Sequence, residues 1–177
     1  MASASIRDRI FVAAIDTPLG VMRAFTSDAG LLQLDFHDRR DVDIASSRFA
    51  HAVEDDTHPH IQSIRRELSD YFAGNKLTFT TPIILPGSSF ERQAWNYLLT
   101  IPPGETRTYG QQASALGDVG AARAVGRANG MNFLAIIVPC HRVIGASGKL
   151  TGYGGGLNRK AWLLEHERCV TAGLLTR

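Results

Sequence analysis

The residues best able to do chemistry are Cys140, His141 and Arg142, which follow the run Ile136-Ile137-Val138-Pro139. That apolar, mostly β-branched run reads as a short buried strand, stopped by its proline. A core segment avoids thiols, imidazoles and guanidiniums, whereas element ends on a rigid scaffold are where reactive groups are placed. Cys140 is therefore read as a nucleophile, against the bland reading of an inert buried thiol. A thiol with a pKa of about 8.5 is only a few per cent thiolate at neutral pH, so it needs a base or a positive field. His141 is the nearest base. Adjacent side chains on an extended chain point to opposite faces, so direct contact is not assured and a bridging water is one way to connect them.

An imidazole acting as a base needs an orienting partner, and the last helix offers one. Asn158 is expected to cap a helix from Arg159 to Arg168. Glu167 lies four residues after Leu163 and three after Leu164, so it projects from the apolar stripe, while Glu165 lies off it, in solvent. A carboxylate on a buried face is costly unless it is paired. A Glu–His–Cys relay would pair it, and an ion pair with Arg142 would do so equally well. The intervening Thr151-Gly152-Tyr153-Gly154-Gly155-Gly156 lacks the Gly-Lys-Ser/Thr of a phosphate loop. It suits a close-fitting wall, with backbone near a ligand and the Tyr153 ring over it, or a plain glycine-rich loop.

These groups need a scaffold, and 177 residues at 44% hydrophobic suffice for one domain or two small ones. No run of about 18 apolar residues is present, so no membrane span is expected. The first nine residues lack the apolar stretch of a secretion signal. The two cysteines, Cys140 and Cys169, exclude a disulfide framework and a four-cysteine zinc site, and a reduced, intracellular protein is expected. Residues 1–88 hold nine Lys/Arg against twelve Asp/Glu, a net of −3; residues 89–177 hold ten against five, a net of +5. Polyanion attraction is thus expected of the C-terminal half alone.

The N-terminal half reads as a small α/β unit: strands at Ile10–Ile15, Val21–Thr26 and Leu31–Phe36 in an antiparallel meander. Asp38–Asp56 is polar and expected to be part loop. A helix from about Pro59 carries Ile61, Ile64, Leu68, Tyr71 and Phe72 on one stripe, and Leu77–Thr80 suggests a further strand. His58 and His60 are read as solvated residues at the helix start rather than as a metal pair. This half carries no active-site constellation and is expected to be a scaffold.

Thr81-Pro82 and Pro86-Gly87-Ser88-Ser89 read as a linker, which divides the chain into domains 1–85 and 86–177. Ser88 or Ser89 then caps a helix carrying Phe90, Ala94, Trp95, Leu98 and Leu99. Tyr109–Leu116 and Ala121–Asn129 form two short helices joined by a glycine-containing turn, as in a helix-turn-helix. The second helix has almost no bulk beyond Val125 and two arginines, Arg123 and Arg127. Small residues let a backbone come close to another surface, and like charges at i and i+4 repel unless an anion answers them. A tightly packed Ala/Gly helix is the competing reading of the same residues.

Taken together, Pro139-Cys140-His141-Arg142-Val143-Ile144-Gly145, Gly152–Leu157, Arg159-Lys160, Ile101–Thr106, Thr108-Tyr109-Gly110 and Ala121–Gly126 resemble the signature of the O6-alkylguanine-DNA alkyltransferases. The resemblance covers roughly residues 86–168 and implies a ribonuclease-H-like α/β unit, an antiparallel sheet with a helix, before a mostly α unit with the helix-turn-helix. It implies that Cys140 accepts the alkyl group of O6-alkylguanine, and of O4-alkylthymine, in a single-turnover displacement on a flipped base. His141 would act through a water, held by Glu167, with Asn132 in the network. Tyr109 would bind the guanine and help protonate it at N3. Arg123 would enter the duplex, Ala121, Ala122 and Gly126 would approach the minor groove, and Arg127 would face DNA. The carbonyls of Cys140 and Val143 would read the guanine amino group, with Asn129, Tyr153 and Gly154 lining the pocket. Phe133 and Ala135 stand where the family usually has proline, so the loop before the expected strand should be differently shaped.

The resemblance further implies double-stranded DNA as partner, no cofactor and no metal, no membrane, and a monomer whose DNA binding is open to cooperativity. The expected compartment is the cytoplasm, or the nucleus in a eukaryote. A lesion-binding sensor without transfer and a Cys–His hydrolase are the alternatives.

Overall fold

A computed structural model describes residues 9–38 and 48–174. The expectations for the first eight residues and for residues 39–47 of the acidic stretch lie outside the described residues. Strands β1 (Phe11–Ile15), β2 (Met22–Ser27) and β3 (Gly30–Phe36) form the expected meander, with Ala13 opposite Ala24 and Ala24 opposite Leu34. The sheet is mixed rather than antiparallel throughout, because β4 (Val53–Glu54) pairs parallel to β1 and gives the order β3-β2-β1-β4.

Helix α1 (Pro59–Phe72) packs on this sheet, burying Ile61, Ile64, Leu68 and Tyr71 at helical spacing. His58 is not solvated as expected: it is the N-cap, buried, with its ring accepting from the His60 N–H and meeting Asp28 at 3.3 Å. Leu77–Thr80 is not a strand. The backbone N–H groups of Thr80 and Thr81 donate to the Glu67 carboxylate, which occupies donors that a strand partner would need.

In the C-terminal half, α2 (Ser89–Leu98) starts with a reciprocal cap between Ser88 and Glu91. Its buried stripe is Ala94, Trp95 and Leu98, narrower than expected because Phe90 and Leu99 are exposed. Helix α3 (Tyr109–Ala115) has the same kind of cap, from Thr108 and Gln111. A 3₁₀ turn at Val119–Ala121, capped by Asp118, leads into α4 (Ala122–Gly130), which completes the helix-turn-helix. Short strands β5 (Arg107–Thr108) and β6 (Val143–Ile144) pair in parallel, and α5 (Leu157–Thr171) closes the fold. Gly156, at φ 93°, holds the N-cap position, so Asn158 lies inside the helix and does not cap it.

The run before Cys140 corrects the expected strand. Leu134 makes a single bridge to Leu34 on β3, and residues 135–138 then turn back within the core. The Asn132 amide takes the place of a neighbouring strand: Oδ1 accepts from Leu134 N at 2.9 Å and Nδ2 donates to Val138 O at 2.8 Å. Ile136 sits at φ 72°, a left-handed conformation that costs a β-branched residue roughly 1–3 kcal/mol. Pro139 precedes a 3₁₀ turn, Cys140–Arg142, which fans the three reactive side chains around an axis instead of alternating them. One hydrophobic core joins both halves, running from Ile15, Leu34 and Ile64 through Trp95 and Val138 to Leu163.

Candidate active site

Glu167 is the centre of the site's charge. It is fully buried and accepts from the Tyr71 hydroxyl (2.9 Å), His141 Nε2 (2.9 Å) and Arg142 Nη2 (2.8 Å) at Oε1. Its Oε2 accepts from Arg142 Nε (2.9 Å) and Gly104 N (3.2 Å). The relay and the ion pair, alternatives in the sequence, therefore coexist on one carboxylate. Burial alone would raise the Glu167 pKa, but hydrogen bonds and charges from His141 and Arg142 overcome it and hold the carboxyl far below the usual carboxylate range. Arg142 Nη1 also donates to Ile101 O at 2.5 Å, which ties the segment before β5 to the same cluster.

Burial pushes the His141 imidazole below its ordinary pKa, against the opposing pull of Glu167. With the carboxylate ionised and the ring neutral, Nε2 carries the proton given to Oε1, and Nδ1 keeps its lone pair. Nδ1 is buried and has no hydrogen-bond partner among the described residues. The arrangement is that of a general base held in one tautomer.

Cys140 is 8% exposed, and its sulfur takes a hydrogen bond from Asn132 Nδ2 at 3.2 Å. Asn132 thus shapes the turn and touches the thiol with the same amide. Tyr109, at the start of α3, donates its hydroxyl to Thr151 O (3.2 Å) and Gly152 O (3.3 Å). Burial raises its pKa, and the neighbouring Cys140 adds to this, so it is a neutral donor at working pH. The Tyr153 ring stands edge-on to His141 at 6.4 Å. Gly155 is required by close packing: a Cβ there would lie 2.8 Å from Tyr153 and 2.9 Å from Phe36. Gly154 is exposed on the same loop.

Three groups at or near the site were missed in the sequence. Lys160, fully buried, donates to Val143 O (2.5 Å) and Thr151 O (2.6 Å), and burial lowers its ammonium to about 8. Its spacing with Leu163 and Glu167 marked it as a lysine on a buried face, a signal that was available. Tyr71 gave no signal beyond its place on an apolar stripe. Arg159 holds Asp38 by two bonds, of 2.8 and 2.9 Å, and lies 4.1 Å over Phe36, which anchors the glycine loop to the N-terminal unit.

On α4, Arg123 and Arg127 are exposed, while Ala122 and Gly126, with Ala121 in the turn before the helix, are half-buried. Gly126 lies beside the Tyr109 ring, so the small-residue helix abuts the site. The Asn129 amide pairs with Gln112 (2.8 and 3.2 Å) inside the helix-turn-helix. Glu165 is exposed, as expected, and pairs with Arg168; the half-buried Cys169 thiol donates to it at 3.4 Å. No group of three or more metal-ligating side chains occurs among the described residues.

Residues 10–85 match the family model of the 6-O-methylguanine DNA methyltransferase ribonuclease-like domain, and residues 89–169 that of the family's DNA binding domain. The chain belongs to the 6-O-methylguanine DNA methyltransferase family. A methylated-DNA--protein-cysteine methyltransferase of Mycobacterium bovis is 62% identical over 110 residues, 62% of this chain and 67% of the relative. The crystal structure of Mycobacterium tuberculosis O6-methylguanine methyltransferase is 46% identical, with TM-score 0.80, over 90% of this chain and 93% of that one. Mycobacterium tuberculosis OGT in complex with DNA is likewise 46% identical, with TM-score 0.81, over 90% of this chain and 94% of that chain. Both halves of the fold are therefore family architecture, including the mixed sheet that carries Tyr71 on its helix.

Proposed function

We propose that the chain repairs alkylated DNA by direct reversal, as a methylated-DNA–protein-cysteine methyltransferase in which Cys140 is the acceptor and each molecule acts once. The observation that carries this reading is that one 3₁₀ turn holds both a nearly sealed Cys140 thiol and a buried His141 whose Nε2 is bonded to Glu167 and whose Nδ1 is a buried acceptor. A water between Sγ and Nδ1 takes the thiol proton to the imidazole. The thiolate attacks the alkyl carbon, so that an S–C bond forms as the C–O6 bond breaks. The leaving guanine takes a proton at N3 from the Tyr109 hydroxyl, which exchanges its loop carbonyl acceptors for the base and is reprotonated from solvent, to which His141 in turn releases the thiol proton. Arg142 and Tyr71 keep Glu167 ionised throughout, so the proton is not passed on to Glu167.

Sulfur cannot reach O6 in a stacked duplex, so the base leaves the stack. Arg123 fills the gap, Ala121, Ala122 and Gly126 lie along the minor groove, and Arg127 meets phosphate. The carbonyls of Cys140 and Val143 read the guanine amino group, the latter fixed by Lys160, while Asn129, Tyr153 and Gly154 line the pocket. We divide the chain at residues 85 and 86 into a scaffold unit and a DNA-binding, alkyl-transfer unit. O4-alkylthymine is a second substrate of the same pocket. The protein acts as a monomer on double-stranded DNA, in the cytoplasm. Among the described residues no helix is long and apolar enough to cross a membrane.

Incubation with a duplex containing O6-methylguanine tests the proposal. A gain of one methyl mass on the Cys140 peptide, one per protein, is the expected result. Binding without mass gain would turn the reading to a lesion sensor, and turnover of an ester without DNA affinity to a hydrolase.

A further inference from the structure

We infer that the Tyr71 hydroxyl is a positioning group for thiol activation: it holds the Glu167 carboxylate toward His141 Nε2, so a residue of the N-terminal unit sets the pH range over which Cys140 is deprotonated. The inference rests on the alkyl-transfer reading above and assigns part of that chemistry to a half of the chain expected to be a scaffold.

Tyr71 ends the buried stripe of α1, is fully buried, and donates to Glu167 Oε1 at 2.9 Å. The same oxygen accepts from His141 Nε2 at 2.9 Å and Arg142 Nη2 at 2.8 Å. The phenol is fixed in this direction. Phe72 meets its ring edge-on at 5.4 Å, Phe79 lies at 5.5 Å and His166 at 5.3 Å. Its own carbonyl is bonded to His166 Nε2 at 2.6 Å, which pins the end of α1 against α5. Neither rotation to solvent nor loss of the donor is available to it in the folded chain.

Three donors on one oxygen divide its charge. A carboxylate facing only an imidazole would stabilise the imidazolium and keep the ring protonated to higher pH. Burial already favours the neutral ring, and sharing Oε1 with Arg142 and Tyr71 weakens the opposing pull of Glu167, so Nδ1 can take the proton of Cys140. The other groups around His141 are Arg142, next to it in the chain, Lys160 on α5 and the Tyr153 ring, while Cys140 precedes it in the chain. Arg142 brings a guanidinium to this oxygen, so Tyr71 is the neutral donor whose removal changes the balance without removing a charge. Removing it leaves the relay connected but shifts where it switches on.

The test uses the full chain and Tyr71→Phe, which keeps the ring packing. Histidine NMR titration of the free protein should show the His141 pKa rising by about 0.5 to 1 in the variant. Single-turnover transfer from an O6-methylguanine duplex should be slower at the acid end of the profile, approaching about three- to tenfold where the pH lies below the His141 pKa of both proteins, yet within about twofold of the parent at pH 8.5. Phe79→Leu, which loosens the ring but keeps the hydroxyl, should lower the active fraction and leave the pH profile in place. A His141 titration unchanged or lowered in Tyr71→Phe overturns the inference, as does slowing by one factor at all pH values. If the parent protein transfers no methyl group, the alkyl-transfer reading fails, and the NMR titration still decides whether Tyr71 governs His141.

Discussion

Glu167→Gln tests the buried cluster most severely. Glutamine matches the size of glutamate, so any loss comes from charge and donor pattern. In one orientation the new amide nitrogen faces Tyr71, His141 and an Arg142 Nη2; in the other it faces Arg142 Nε and the Gly104 N–H. Either way donors confront a donor, and Arg142, only 6% exposed, keeps its charge without a counter-ion. Breaking a buried pair on one side costs about 3–5 kcal/mol. For a chain of this size that corresponds to a fall in Tm of about 6–20 °C.

Alkyl transfer should slow by about 10²- to 10⁴-fold, the usual worth of a placed general base, because His141 loses the acceptor that fixes its tautomer. The pH dependence has a definite sign. The Glu167 carboxyl lies well below the ordinary value near about 4.3, so the unfolded chain binds the proton first on acidification. Its stabilisation is complete above that ordinary value and is lost as pH falls through the folded one. Glutamine does not titrate, so the stability gap between parent and variant should narrow below about pH 4. Urea unfolding at pH 7 and at about pH 3, with rapid-quench transfer kinetics, measures all three effects. A stability change under about 1 kcal/mol together with a rate within threefold would refute the reasoning.

Other perturbations have narrower outcomes. Arg123→Ala removes an exposed side chain, so stability should move by less than about 0.5 kcal/mol, while duplex repair falls far more than reaction with free O6-benzylguanine. Equal losses on both substrates would exclude a role inside the duplex. Lys160→Met strands the carbonyls of Val143 and Thr151 and should cost about 2 kcal/mol by denaturant titration, with slower reaction on free O6-benzylguanine as well. Acidification from about pH 6.5 should already weaken the fold through His141, whose folded pKa is lowered, and the unfolded chain then binds the extra proton. His141→Gln should flatten that part of the stability curve.

Much of the site was legible because polar residues stood where apolar ones were due. Glu167 on the stripe of Leu163 and Leu164, and a thiol and imidazole after an apolar run, announced themselves by that mismatch. The charge asymmetry and the Ala/Gly-rich second helix of the helix-turn-helix were equally readable. The shape of residues 134–138 was not. Burial reads alike for a strand and for a buried turn, and a run this short has no period to separate them. What decides it is the Asn132 side chain, which satisfies the backbone that a neighbouring strand would otherwise bond. The joint role of Arg142 and Tyr71 on one carboxylate was equally hidden, because it depends on α1 and α5 meeting across 96 residues of sequence.

The most direct test counts guanine restored per protein molecule when methylated duplex is in large excess. A plateau at one equivalent, absent in Cys140→Ser, is the predicted result. Continued turnover beyond one equivalent, or restoration without Cys140, would contradict a single-use cysteine acceptor.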